Sequence, residues 1–366
     1  MGHNITLKKE GQQIAFLKPV TNWFTARFQK ANVLKSLRKT AITIVSILLF
    51  IGLWHLGAKA LYNVEADYKI EKALTEQGQQ AADALTACIA AGTSSCQPNT
   101  LPSPAQVWAS LQSLIADHQV ITADKAAFVE KMKGVNEKLV AQGKDAIVYT
   151  GRASFIDIVL TSIKTVFAGF LLALLIAVPI GIVIGLSPTL RSAFNWFIQI
   201  FKPVSPVVWY LLVFMIVKTL YIGDSSDNAF VISFISVGLC AMWATLVNTA
   251  MGVSSVDKDY INVAKVLKLG TFQKVFKVIL PSSLPLIFTG LRITLSVAWM
   301  VLIAIELLAQ SQGLGLFVWE EFQNGANDSN SKIIVAMFVI GIIGFLLDRI
   351  MLVIQNTVSF NKNEAV

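Results

Sequence analysis

Charge is scarce in this chain: 14% of its 366 residues are Asp, Glu, Lys or Arg, whereas 55% are apolar. A soluble domain uses about 25% charged residues to cover its surface. The composition therefore excludes an ordinary soluble protein and predicts one that crosses a membrane several times. The net charge of +8 does not indicate a nucleic-acid partner, because the basic residues concentrate in a few segments between apolar stretches.

Motifs for catalysis and nucleotide binding are absent from the sequence. Gly143-Lys144 lacks the preceding glycine and the following Ser or Thr of a phosphate-binding Walker A loop, and neither GxSxG nor HExxH occurs. The three histidines are scattered, and no cluster of metal ligands is present. We therefore expect no enzyme activity, no metal site and no cofactor bound by this chain itself.

Cysteine is also rare, with three residues in the whole chain. Cys88 and Cys96 follow the first apolar stretch, in a segment that the topology below places outside the cytoplasm, where disulfides can form. Their spacing allows a small disulfide-closed loop, but spacing alone does not fix the geometry. Both a Cys88–Cys96 disulfide and two free thiols remain open.

Six apolar stretches are long enough to cross the hydrocarbon core, which takes about 20 residues. Because backbone polar groups must be paired within a spanning segment, these stretches are expected to be helices. The glycines at 181 and 185 would let two helices approach closely, although a chance pair of glycines is an equal alternative. The six predicted spans are 41–61, 156–186, 194–220, 230–251, 283–308 and 332–354.

The distribution of basic residues orients these spans. The tail 1–40 carries eight Lys and Arg, and the segment between the fourth and fifth spans carries five lysines, whereas the turn after the fifth span is acidic. Basic segments stay in the cytoplasm, so the tails 1–40 and 359–366 are predicted to be cytoplasmic. The span 41–61 could be mistaken for a cleaved signal peptide, but its apolar run is too long, and we expect an uncleaved anchor.

The segment 62–152 is polar and is expected to form a helical insert on the periplasmic side. Residues 66–91, 105–116 and 123–142 favour helix, and the proline-containing run 92–104 separates the first of these from the others. Docking of a solute-binding protein and a purely structural packing role are both compatible with this segment.

The cytoplasmic segment 257–281 is the most informative one. Its pattern predicts an amphipathic helix, a break near Gly270 and a second short helix; Pro281 is expected to end that helix and to start the fifth span. Lysines occupy the other faces, and the apolar residues that recur are Ile261, Ala264, Leu267, Val275, Val278 and Ile279. Such a helix, held between two spans, can lie on the membrane or in a groove of another protein.

The same segment resembles the "EAA" loop of ABC importer permeases, which reads Glu-Ala-Ala, three residues, Gly, nine residues, Ile-x-Leu-Pro. Here Asn262-Val263-Ala264 occupies the first triplet, Lys268 the glycine position, and 278–281 the final Val-Ile-Leu-Pro. The resemblance implies contact with a separate ATPase. The residues it assigns to this contact are Asp257, Tyr260, Asn262, Val263, Ala264, Lys265, Leu267, Lys268, Gly270, Leu280 and Pro281.

The two mismatches, Asn262 and Lys268, together with the stretches 279–293, 313–319 and 344–349, resemble the nitrate permeases of the nitrate/sulfonate/taurine group. That resemblance implies an all-α type I ABC importer permease fold, with a core at 153–358 and a coupling loop at 254–281. It also implies a homodimer, two ATPase subunits that bind ATP and Mg²⁺, and a periplasmic binding protein that delivers an oxyanion. Nitrate is the expected substrate; sulfonate, taurine, cyanate and bicarbonate are the alternatives.

Polar residues inside the spans are candidates for the translocation pathway, because an unpaired charge in the membrane is costly. Arg292 could bind a planar oxyanion, or could pair with a carboxylate and only hold helices together. Glu306 would repel an anion, which favours a structural or gating role. Trp209 and Asn248 complete the candidate set.

Two other classes of function remain as alternatives. An ATP-independent secondary transporter is disfavoured because no paired half-helix repeats are visible. A membrane scaffold would make 62–152 the working part.

Overall fold

The computed structural model describes residues 10–92, 96–98, 100–220, 225–326 and 328–358, the stretches 10–37 and 225–227 by their backbone alone. Within these residues all regular structure is helical, which confirms the predicted all-α fold class. The helices are α1 Glu10–Gln77, α2 Gln79–Ala90, α3 Pro104–Ala141, α4 Phe155–Leu186, α5 Pro188–Phe201, α6 Pro206–Leu220, α7 Ser225–Ser254, α8 Lys258–Val266, α9 Thr271–Lys274, α10 Leu280–Ala309, α11 Leu314–Asn324 and α12 Ser329–Val358.

Five helical segments in the described part of the chain are long and apolar enough to cross a membrane, and a bent pair of helices raises the number to six. They correspond to the predicted spans, and the chain is a multi-pass membrane protein. The five are Arg38–Gln77, Phe155–Leu186, Asn228–Ser254, Thr271–Ala309 and Ser329–Val358.

The predicted third span, 194–220, is not one continuous helix. It consists of α5 and α6, which are bent by 99° relative to each other. Pro203 lies in the break and follows Lys202, which still has helical backbone angles, while Pro206 opens α6, where its missing N–H does no harm. With 14 and 15 residues, neither helix alone reaches the length of a span.

The chain divides into two compact units, Met1–Pro104 and Ala105–Val366. In the first unit α1 continues for 68 residues, so the boundaries expected at 40 and 61 lie inside a single helix. Gly78 interrupts it with a φ of 87° before α2. Trp54 Nε1 donates to the Pro102 carbonyl at 3.1 Å, and a disulfide joins Cys88 to Cys96.

In the second unit, α3 is continuous where two helices, 105–116 and 123–142, were expected. The intervening residues contain neither Gly nor Pro, so nothing in the sequence stops the helix. Lys125 of α3 forms an ion pair with Asp157, and His118 Nδ1 lies 2.8 Å from Ser154 Oγ. Since Ser154 caps α4, both contacts tie the insert helix to the start of the first core helix.

Helices α4, α7 and α10 form the packed centre of the second unit. A β-carbon at Gly181 or Gly185 would lie 2.6–3.0 Å from atoms of α7, so these glycines do mark a close helix contact. On the other side of α7, Thr294 of α10 bonds to Thr245, with 2.7 Å between the hydroxyl oxygens. The scaffold that carries the candidate sites is therefore tightly packed.

Candidate functional site

The segment after α7 folds as a short helix with defined caps at both ends. Asp257 caps α8 by accepting a hydrogen bond from the Asp259 N–H at 3.0 Å. At the other end the Lys268 N–H donates to the Lys265 carbonyl and the Leu269 N–H to the Ala264 carbonyl, both at 3.0 Å. This pair of bonds is a Schellman motif, which needs a left-handed residue just after the helix.

Lys268 is that left-handed residue, with a φ of 51°. It occupies the position where the importer loop has glycine, and the geometry supplies the reason for glycine there: a β-carbon in this conformation costs about 1–2 kcal/mol. Lysine thus keeps the backbone of the motif and carries strain that glycine would not.

Replacing Lys268 by glycine should therefore stabilise the end of α8 by up to about 1 kcal/mol, since glycine's extra freedom in the unfolded chain offsets part of the relieved strain. Amide hydrogen exchange across 258–269 measures this directly, and slower exchange is expected. The matched variant Lys265→Gly lies inside the helix and should speed exchange by a similar energy. Faster exchange in Lys268→Gly would contradict the assignment.

Burial along this segment differs from the predicted amphipathic pattern. Ala264 and Ile279 are buried and Ile261 is half-buried, as expected, but Leu267 is 64% exposed. Val266 and Phe272 are exposed by 81% and 77%. We call Tyr260, Val263, Val266, Leu267, Phe272 and Phe276 the exposed apolar set.

Three of these side chains, Val266, Phe272 and Phe276, were not among the candidates. The signal that could have identified them is an apolar side chain lying off the buried stripe in a cytoplasmic loop. Polar candidates such as Asn262 and Lys265 are exposed as well. The segment therefore presents to the solvent a surface with the mixed apolar and basic character of a protein contact.

Pro281 lies at the start of α10, as predicted, but it does not end the second helix. After α9 the chain makes a π-helical turn, Val275–Ile279, and continues directly into α10. The Leu280 N–H bonds to the Val275 carbonyl, five residues back. A π turn shifts the hydrogen-bond register, and Pro281, with no N–H to place, sits at the start of the α-helical stretch. The part of the segment from Thr271 onward and the fifth span therefore form one continuous helix, Thr271–Ala309.

Arg292 pairs with a carboxylate, which is the second of the two alternatives that the sequence left open for it. Its Nε donates to Asp348 Oδ1 at 2.5 Å and its Nη2 to Oδ2 at 2.8 Å. The two side chains retain 35% and 25% exposure, so the pair forms the wall of a groove between α10 and α12. Asp348 was not among the candidate residues, and only the pairing rule for intramembrane charges could have pointed to it.

Glu306 is 1% exposed and has a structural position near the end of α10. Its Oε2 accepts a hydrogen bond from the Gly315 N–H at 2.9 Å, and Ser162 Oγ accepts one from the Leu314 N–H at 2.8 Å. These two amides open α11 and would otherwise lack partners. A β-carbon at Gly313 would lie 2.2–2.4 Å from the Glu306 carboxyl, so the glycine leaves room for it.

Trp209 and Asn248 lie in two further settings. Trp209 packs with Phe201 and Trp243 at centroid distances of 6.0–6.1 Å. Asn248 donates to the Ala244 carbonyl of its own helix at 2.8 Å, and its Cβ would meet a β-carbon on Gly290. The four pathway candidates thus have separate surroundings, and Arg292 borders the groove between α10 and α12.

Residues 177–359 match the protein family described as binding-protein-dependent transport system inner membrane component. The nitrate import permease protein NrtB of Synechococcus elongatus is 34% identical over 201 residues, covering 55% of this chain and 69% of that protein. The bicarbonate transport system permease protein CmpB of Synechocystis is 36% identical over 191 residues, which cover 52% of this chain and 64% of that protein. The taurine transport system permease protein TauC of Escherichia coli is 33% identical over 188 residues, which cover 51% of this chain and 64% of that protein.

Proposed function

This chain belongs to the family of binding-protein-dependent transport system inner membrane components, and we propose that it is the permease of an ATP-driven importer for nitrate. The chain is a multi-pass ABC importer permease. The separate ATPase subunits with their ATP and Mg²⁺, the identity of the anion and the homodimeric assembly are the proposed parts.

The exposed apolar set on α8, α9 and the π turn carries the proposal of a separate ATPase. These six apolar side chains face solvent. Covering them with a partner protein would stabilise the complex by about 1.5–3 kcal/mol for each large side chain buried. Phe272 and Phe276 of this set lie on the continuous helical segment from Thr271 to Ala309, which leads into the membrane interior. Movement of an ATPase attached at these two side chains would therefore be transmitted directly to α10.

The relatives support a small anion as substrate. Two of them are named for nitrate and bicarbonate, at 34% and 36% identity, and a third for taurine. Nitrate comes first because the stretches 279–293 and 344–349 of this sequence resemble the nitrate permeases. Bicarbonate is the second candidate, favoured by the identity to the Synechocystis protein.

Competition during uptake tests the substrate. Cells that depend on this chain, its ATPase and its binding protein should accumulate labelled nitrate. A hundredfold excess of unlabelled nitrate should abolish the signal, while the same excess of bicarbonate or taurine should leave more than half of it. Loss of the signal with bicarbonate but not with nitrate would overturn the nitrate assignment.

A cavity at one end of the second unit supports the proposal that a binding protein docks there. A cavity of about 470 Å³ lies between α3, the start of α4, and α11. Its wall includes Asp117 and Arg152, an ion pair at 3.2 Å, together with Glu320 and Gln312. In this proposal the insert helix α3 shapes the docking site, with the insert periplasmic and the tails 1–40 and 359–366 cytoplasmic in the inner membrane.

A further inference from the structure

A stripe of polar side chains runs along the groove between α10 and α12. Thr289, Arg292 and Ser296 recur at the spacing of one helix face, and Asp348 and Gln355 do the same on α12. Together with apolar neighbours they line a space of about 530 Å³. Both helices are long and apolar enough to span the membrane, and ionisable groups at that depth face protein or water rather than lipid.

Two contacts show how these polar groups are engaged. Gln355 Nε2 donates to Thr289 Oγ1 at 3.1 Å, and Ser296 Oγ donates to the Arg292 carbonyl at 3.1 Å. The Gln355 and Thr289 side chains therefore bond to each other across the groove, and Ser296 bonds to its own helix. The Arg292–Asp348 pair is the charged feature of the groove wall, and both members are partly open to the groove.

The form of the pair resembles a ligand complex. A guanidinium presents a planar fork of N–H donors, and a carboxylate fills it with two oxygens in the same plane. Nε and Nη2 of Arg292 bind the two oxygens of Asp348 at 2.5 and 2.8 Å. Nitrate and bicarbonate are planar anions that present an equivalent pair of oxygens.

We propose that Asp348 is a built-in competitor for the transported anion at Arg292. With no anion in the groove, the Asp348 carboxylate occupies the Arg292 fork. A planar trigonal oxyanion that enters the groove displaces the carboxylate and takes over the same two donors. This inference rests on the proposed function and adds to it the residue that binds the anion and the residue that releases it.

Exchange of one planar anion for another solves two physical problems of transport. Arg292 is never left unpaired within the membrane, which would cost several kcal/mol. The anion is also not held too tightly, because Asp348 competes for the fork and promotes release.

The variant Asp348→Asn tests the competition. In the purified permease–ATPase complex, nitrate should bind at least about tenfold more tightly, since the charged competitor is gone, while maximal uptake falls because release is slower. The matched control Asp328→Asn removes a carboxylate that pairs with Lys332 at 2.8 Å, away from Arg292, and should leave nitrate affinity unchanged.

A purely structural ion pair predicts the opposite pattern. In that case Asp348→Asn lowers the melting temperature without raising nitrate affinity, and this result would overturn the proposal. Should Asp348→Asn not fold, infrared difference spectra of the wild-type complex decide the matter: nitrate must shift a carboxylate band, and an unchanged carboxylate region would overturn the proposal. If the wild-type complex transports no planar oxyanion, the proposed function itself fails; if it transports nitrate and Asp348→Asn binds it as wild type does, only the competition fails.

Discussion

Replacing Val266 and Phe272 together by aspartate should detach the ATPase and reduce nitrate uptake to background. Both side chains are more than three-quarters exposed, so the substitutions leave the fold of the chain intact. At about 2 kcal/mol of lost burial for each side chain, affinity for the ATPase should fall about 1,000-fold. Co-purification of the ATPase with the tagged permease, followed by titration of the two components, measures the effect.

The matched control for this double variant is Gln273→Asp. Gln273 is exposed on the same segment and acquires the same charge, but it lies outside the exposed apolar set. Its affinity for the ATPase should stay within about threefold of the wild type. If the double variant bound the ATPase as well as this control does, the exposed apolar set would not be the coupling surface.

Substituting Gly315 by alanine should unfold the outer end of the core. The new β-carbon would lie 2.1 Å from the Ile303 carbonyl oxygen and 3.0 Å from the Glu306 β-carbon, and the Ile303 backbone cannot yield as a flexible side chain would. The start of α11 must shift, which breaks the hydrogen bond to Glu306 and leaves a buried carboxylate without that partner. We expect a loss of about 3 kcal/mol or more, seen as a melting temperature lowered by several degrees and as lost uptake.

Gly341→Ala is the control for steric effects of a glycine substitution. A β-carbon at Gly341 meets nothing within 4 Å, and alanine inside α12 should be neutral or should stabilise by up to about 1 kcal/mol. Equal melting temperatures for Gly315→Ala and Gly341→Ala would show that α11 is not held by close contact with α10.

The spans could be predicted because composition and length decide them. A stretch of twenty apolar residues without charge has one stable state in hydrocarbon, so five predicted spans appear as helices. The bend of 99° between α5 and α6 could not be predicted. Proline marks where a helix stops, but the direction in which the chain continues depends on what packs against it.

The coupling segment shows the same division. Its position and its break followed from spacing and from Gly270, whereas the π turn before Pro281 depends on how two helices share one hydrogen-bond register. Lys268 looked like a mismatch to the importer loop, and the structure shows that the backbone there still has the left-handed conformation that favours glycine. Sequence shows which residue departs from a pattern; the φ angle shows whether the shape departs with it.

Partners of buried charges were the hardest to predict. Arg292 and Glu306 were both identified, but their partners lie 56 and 9 residues away, and one of them is a backbone amide. Nothing in spacing indicates such a partner. The glycines at 313 and 315 became informative only when the Glu306 carboxyl was found against them.

The most direct test of the central claim is nitrate accumulation in proteoliposomes that contain the permease and its ATPase, with binding protein and nitrate outside and ATP inside. Nitrate should accumulate only when ATP and the ATPase are both present, and the Val266→Asp/Phe272→Asp variant should accumulate none. Equal accumulation by the permease alone, without ATP, would contradict the account and identify a secondary transporter.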